Sequence, residues 1–184
     1  MEKKKGFTLI ELLVVIIILA LIMGISVPAV ARYIESARKS TFLESINKYV
    51  ETVSTDMTAG GAIDTGWSFP QGTEIDDTTL YFVPVSKINI QKGGKDPFGD
   101  FKSDSSGVIV VYDNKDGYKY GFQFDDVSGH FMNPTPEKEL DVKKIMTKRK
   151  ASDKTLQELG KLNGKTDLDI RFGGKKYTKV VVAN

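Results

Sequence analysis

The chain has no cysteine, one histidine (His130) and one tryptophan (Trp67) in 184 residues. The absence of Cys excludes disulfides, thiolate metal sites and thiol nucleophiles together. A single His leaves little for a metal centre or a His-based acid/base pair, so an enzyme is not expected, nor a cofactor. Charge of one sign is also lacking. With 26 Lys+Arg against 24 Asp+Glu the net charge is +2, which argues against bulk electrostatic binding of nucleic acid or lipid.

Apolar residues are present but unevenly spread. Leu12 to Ala31 is a run of twenty residues without a charge, and at ~1.5 Å per residue a helix of that length crosses about 30 Å of bilayer hydrocarbon. Lys3-Lys4-Lys5 precede it; Lys-rich flanks stay cytoplasmic, which orients residues 32–184 outward. Ala29 and Ala31 resemble a secretory cleavage site, but the run exceeds a usual signal core, and Ser26 and Pro28 interrupt it. Glu11, one residue before the run, argues more strongly: a carboxylate entering a bilayer costs about 2.5–3.5 kcal/mol and is normally paired or functional. A plain single-pass anchor has no use for it.

The residues Lys4-Lys5-Gly6-Phe7-Thr8-Leu9-Ile10-Glu11-Leu12-Leu13 resemble the processing signature of type IV prepilins and pseudopilins. The resemblance is specific over residues 4 to about 34. It implies a membrane prepilin peptidase/methyltransferase that cuts between Gly6 and Phe7 and N-methylates Phe7. The expected division is thus a leader over 1–6, a transmembrane and filament-core helix over 7–31, and an extracytoplasmic domain over 32–184. The resemblance also implies self and other pilins as partners in a helical polymer, lipid before assembly, and a membrane assembly platform driven by an ATPase. Pro28 falls where the family carries its helix-kinking proline.

Each residue has a physical rationale. Gly6 lets an extended backbone enter a protease cleft closely. Cleavage after it removes three Lys and one Glu, which balances the side-chain charges and creates an ammonium on Phe7. Beside that ammonium of a neighbouring subunit, or of its own chain before assembly, Glu11 becomes a charge-assisted pair; the resemblance implies that the intersubunit contact sets the axial register. Thr8 either joins this cluster or back-bonds to its own helix. Pro28, one turn after Gly24, either kinks the helix or marks a locally melted stretch over 22–28.

The remaining pattern predicts an α+β fold: a long N-terminal helix, half membrane-spanning and half amphipathic, on an antiparallel β-meander, with a C-terminal helix and hairpin extension. Val30, Ile34, Ala37, Phe42, Ile46, Tyr49 or Val50, Val53 and Met57 extend the helix to about fifty residues. Residues 60–106 read as a loop region holding Trp67, expected to pin a loop or enter the core, and the short apolar segment Leu80 to Val85. Gly107–Tyr112 reads as a strand. Tyr118, Tyr120, Phe122 and Phe124 alternate along a second strand, whose aromatic face should cover the helix. A third passes through His130-Phe131-Met132. Thr135-Pro136-Glu137 predicts a helix opening, leading through Leu140, Ile145 and Met146 to Lys148-Arg149-Lys150. Thr155 and Glu158 form a capping-box pair for another helix near Asp153–Leu162. Gly173-Gly174 make a turn between Leu168–Phe172 and a strand from Tyr177 to Val182.

Seven Asp lie between Asp96 and Asp126, yet Asp113–Gly117 lacks the alternating oxygens and closing Glu of an EF-hand loop. Asp96-Pro97-Phe98-Gly99 resembles the Asp-Pro-Trp-Gly stretch of the major type II secretion pseudopilins, which bind calcium nearby, with Phe98 in place of Trp; Asp96 and Asp100 are the weak calcium candidates. Lys148, Arg149 and Lys150, with Lys143 and Lys144, could touch DNA as in competence pilins, but such a run more simply complements a helix dipole, and DNA is not expected. The implied function is a structural pilus-like subunit. A secretion pseudopilin, a minor pilin and a DNA-uptake pilin are the alternatives.

Overall fold

The computed structural model describes residues 6–59, 67–70, 76–88, 101–102, 104–147 and 158–184. It divides into two compact units between Arg38 and Lys39, where the apolar stripe thins in the sequence. One helix of 50 residues, Leu9–Thr58 (α1), contributes to both. Its N-terminal part is exposed around its circumference. From Phe42 onward the pattern becomes one-sided, with Phe42, Ile46, Tyr49, Val50 and Val53 buried at helical spacing.

That stripe lies on a five-stranded sheet built from Thr79–Pro84 (β1), Gly107–Asp113 (β2), Gly117–Asp125 (β3), Phe131–Pro136 (β4) and Lys179–Val182 (β7), in the order β4-β3-β2-β1-β7. β2, β3 and β4 form the expected antiparallel meander, and β1 pairs antiparallel with β2 beside it. Period-two alternation sends Tyr81, Val83, Val108, Val110, Phe122, Phe124 and Val181 to the helix side. Phe42 meets Phe124 edge-on at 4.6 Å between ring centroids, and Tyr49 meets Phe122 at 5.8 Å. Each fully buried apolar side chain here contributes about 2 kcal/mol by leaving water. Trp67 pins its loop to the helix, donating from Nε1 to Asp56 Oδ2 at 3.1 Å and packing on Phe69.

The back of the sheet is covered too. Leu80, Phe82, Ile109, Val111, Val180 and Val182 pack there with Leu159, Ile170, Phe172 and Tyr177. The last three belong to a hairpin, Ile170–Phe172 (β5) and Lys175–Tyr177 (β6), turned through Gly173 and Gly174 at positive φ. Phe172 crosses β3 at Gly121, where a Cβ would collide with its ring and with the Thr135 carbonyl. Glycine is required at that crossing.

Four expectations need correction. The segment Leu80 to Val85, read as part of a loop region, mostly lies in β1, whose six residues are all buried. With both faces covered, its apolar run loses the alternation that marks a half-exposed strand. The strand expected from Tyr177 to Val182 is two: Tyr177 ends β6, Thr178 donates to the Thr78 carbonyl at 3.0 Å, and β7 then pairs with β1 in parallel. The sheet is therefore mixed. The helix through Leu140, Ile145 and Met146 is replaced by the 3₁₀ turns Glu137–Glu139 and Val142–Lys144. Pro136 is extended (φ −59°, ψ 147°), and Met146 exchanges two 2.9 Å backbone hydrogen bonds with Phe131. Pairing with the β4 edge outcompetes helix propagation. Of the helix near Asp153–Leu162, the described part is the 3₁₀ turn Leu159–Lys161; Glu158 pairs with Lys161 at 2.9 Å, and Thr155 lies outside the described residues.

Candidate processing and assembly site

Gly6, Phe7 and Thr8 precede the first helical residue, Leu9. Thr8 occupies the N-cap and Glu11 stands three residues on. The Glu11 carboxylate accepts from the Thr8 backbone N–H and from its hydroxyl, both at 2.7 Å, while Thr8 Oγ1 accepts from the Glu11 N–H at 3.3 Å. This is a reciprocal capping box. Within the single chain the Thr8 hydroxyl goes to Glu11 and not to a carbonyl of its own helix. The Thr-x-x-Glu spacing that signals such a box is present at Thr8 and Glu11, although sequence reasoning placed one only at Thr155 and Glu158.

The box keeps an apolar-flanked carboxylate hydrogen-bonded within one chain. It also holds the Gly6–Phe7 peptide outside the helix. A Cβ on Gly6 would meet nothing within 4 Å, so packing among the described residues does not demand glycine there. Phe7 is 89% exposed, and a shallow apolar hollow lies among Phe7, Ile10, Glu11, Val14 and Val15. Helix α1 continues through Pro28, and Gly24 has open space beside it. Among the described residues α1 alone is long and apolar enough to cross a membrane.

The secondary candidates fare differently. Asp96, Asp100, Lys148, Arg149 and Lys150 lie outside the described residues. Among those described, no three His, Asp or Glu are grouped to hold a metal ion. The described Asp of the 96–126 run have protein partners: Lys161 for Asp104, Lys119 for Asp113 and Asp116, Lys102 for Asp125, and His130 for Asp126. His130 stands just before β4, with Nδ1 3.1 Å from Asp126 Oδ2 and its backbone N–H on Oδ1 at 2.8 Å. The pair closes the β3–β4 turn. Lys144 reaches Glu139 at 3.4 Å.

Asp113 offers a direct check of the β2–β3 turn. Lys119 Nζ donates to Asp113 Oδ2 at 2.8 Å and the Lys115 N–H to Oδ1 at 2.9 Å. These bonds hold the carboxyl down at about 2. A depressed carboxyl pKa contributes stability that is present above the unfolded value near ~3.9 and is lost as pH falls toward about 2. An NMR titration of Asp113 should therefore show a midpoint near 2, and Lys119→Met should move it up toward the ordinary range.

Comparison with known proteins agrees with this geometry. Residues 1–27 match the family model described as the prokaryotic N-terminal methylation motif. The chain is 32% identical over 119 residues to prepilin peptidase-dependent protein D of Escherichia coli (strain K12), covering 64% of this chain and 80% of that protein. The chain belongs to the type IV pilin and pseudopilin family. No solved structure matches it. For this pilin-like chain, the family and the helix-on-sheet fold suggest a structural protein and not an enzyme, and the apolar part of α1 is a candidate membrane anchor.

Proposed function

We propose that this chain is the structural subunit of a type IV pilus-like filament, cut by prepilin peptidase between Gly6 and Phe7 and N-methylated at Phe7. Residues 1–6 are the leader, 7–31 the helix stored in the membrane and later buried in the filament core, and 32–184 the domain outside. The precursor sits in the inner or plasma membrane with its N-terminus in the cytoplasm, and an ATPase-driven platform extracts it into a surface filament. The observation that carries this reading is the Gly6-to-Glu11 geometry: a glycine unneeded by packing, an unwound peptide after it, and a carboxylate held ready by Thr8. The relative's description as prepilin peptidase-dependent supports the processing step.

Exposed apolar side chains from Phe7 to Ile34 supply the driving force for polymerisation by packing against other copies. Glu11 sets register by exchanging the Thr8 bonds for the Phe7 ammonium of a neighbour. Intact-mass spectrometry tests the reading. Sheared filaments are expected to contain a chain that starts at Phe7 and is heavier by one methyl group. A chain starting at Met1, or after Ala31, in both filament and membrane fractions would overturn it.

A further inference from the structure

The uncharged run Leu12–Ala31 ends at Arg32 and Tyr33, within the compact unit that closes at Arg38. Helix α1 continues through this boundary without a break. Arg32 and Arg38 are exposed, and Tyr33 is 77% exposed. Between Ala31 and Thr41 the sequence sets Arg32, Arg38 and Lys39 against one carboxylate, Glu35. Glu35 stands three residues from each arginine, yet among the described residues neither Arg32 nor Arg38 has an ion-pair partner.

Spacing locates the two guanidiniums. At ~1.5 Å per residue the run matches about 30 Å of hydrocarbon, and the headgroup layer beyond it is about 5–8 Å deep. Arg32 is the first residue past the run, so its long side chain delivers the guanidinium to the level of the headgroup phosphates. Arg38, about 9 Å further along the axis, stands at the outer rim of that layer or beyond it. Tyr33 suits the same level as Arg32, with its ring toward the acyl carbons and its hydroxyl among the headgroups.

Chemistry names the ligand. A guanidinium presents its N–H donors in a fork that matches two oxygens of one phosphate, and it keeps its charge at an apolar boundary. At the other end of the run the Glu11 carboxylate has two 2.7 Å bonds from Thr8. Arg32 has no such partner in its own chain. This inference rests on the membrane storage and cleavage proposed above. Cleavage after Gly6 removes Lys3, Lys4 and Lys5, and the side-chain cations that flank the span then lie at its outer end alone.

We propose that Arg32, with Tyr33 beside it, binds the phosphate of an outer-leaflet phospholipid headgroup while the subunit is stored in the membrane.

The test uses the full chain, with isotope-labelled arginine, in dodecyl maltoside micelles, which contain no phosphorus. The chain has four arginines, and Arg32→Gln, at an exposed helical position, assigns the Arg32 Nε–H resonance by its disappearance. Phosphatidylglycerol at a few molecules per chain is expected to shift that resonance and slow its exchange with water about tenfold, as for one charge-assisted contact. Inorganic phosphate and diacylglycerol at the same concentration are expected to leave it unchanged. Amide exchange over residues 12–31 in phosphatidylglycerol vesicles checks the span separately. Unprotected amides there overturn the membrane reading and this inference together. Protected amides with an unmoved Arg32 resonance overturn this inference alone. An equal response to inorganic phosphate overturns the assignment to lipid, and a response at Arg38 without Arg32 overturns the site. A shift that follows protein concentration without lipid identifies a carboxylate of a second copy as the partner and also overturns it.

Discussion

Replacing Glu11 by Ala is expected to leave the chain in the membrane fraction at normal abundance while filaments fall to background. The two halves of this result have separate causes. In the bilayer the carboxylate is a liability, about 2.5–3.5 kcal/mol on insertion scales, eased by its two 2.7 Å bonds from Thr8. Removing it does not impair insertion. In a filament, the proposed role of Glu11 is to meet the Phe7 ammonium of a neighbour in an apolar core. Deleting one partner there strands the other charge, which costs about 3–5 kcal/mol. Each 1.4 kcal/mol is about tenfold in association, so subunit affinity should drop by two orders of magnitude or more. Thr8→Val keeps the backbone N–H donor and loses only the hydroxyl bonds, so its loss should be near ~1 kcal/mol and filaments should persist at reduced yield. Quantifying the sheared and membrane fractions of both variants checks this. Wild-type filament yield from Glu11→Ala would sink the register role.

Phe42→Ala should be the most damaging single truncation in the Lys39–Asn184 unit, at about 3–5 kcal/mol. Phe42 has no exposed surface, meets Phe124 edge-on at 4.6 Å and lies 5.6 Å from Phe101. Its loss combines the transfer term of a large apolar group with a cavity between helix and sheet. Nothing rigid can collapse into that space, because Phe124 is fixed on β3 and Ile46 by the next helical turn. Against a total stability of about 5–15 kcal/mol this is a large fraction. Denaturant unfolding followed by Trp67 fluorescence measures it, since Trp67 is bonded to Asp56 on the same helix. A change below about 1 kcal/mol would mean that the seam through Phe42 does not hold α1 to the sheet.

Local, periodic features were legible without coordinates. The uncharged run, Glu11 before it and the recurrence of Phe42, Ile46, Tyr49 and Val53 predicted a helix of about fifty residues, and α1 has 50. The Phe122 and Phe124 alternation named the face that meets it. Gly173-Gly174 named its own turn. These succeed because the preference and the environment share one period. The Thr8–Glu11 box is equally local, with its two members three residues apart.

By itself, then, the sequence determined the apolar run long enough to cross a membrane, the N-terminal methylation motif, the buried stripe of α1 and the antiparallel β2–β3 hairpin, since each depends on residues a few positions apart. Tertiary structure decided the rest. Leu80 to Pro84 became a central strand because Leu159, Ile170 and Phe172, far along the chain, cover its second face. Val180 to Val182 ran parallel to β1 because their partners, Leu80 to Phe82, lie about a hundred residues earlier in the chain. Leu140 and Ile145 lost their helix because Met146 found a sheet edge. In each case a long-range partner, invisible to any local pattern, supplied more burial or hydrogen bonding than the local preference could offer.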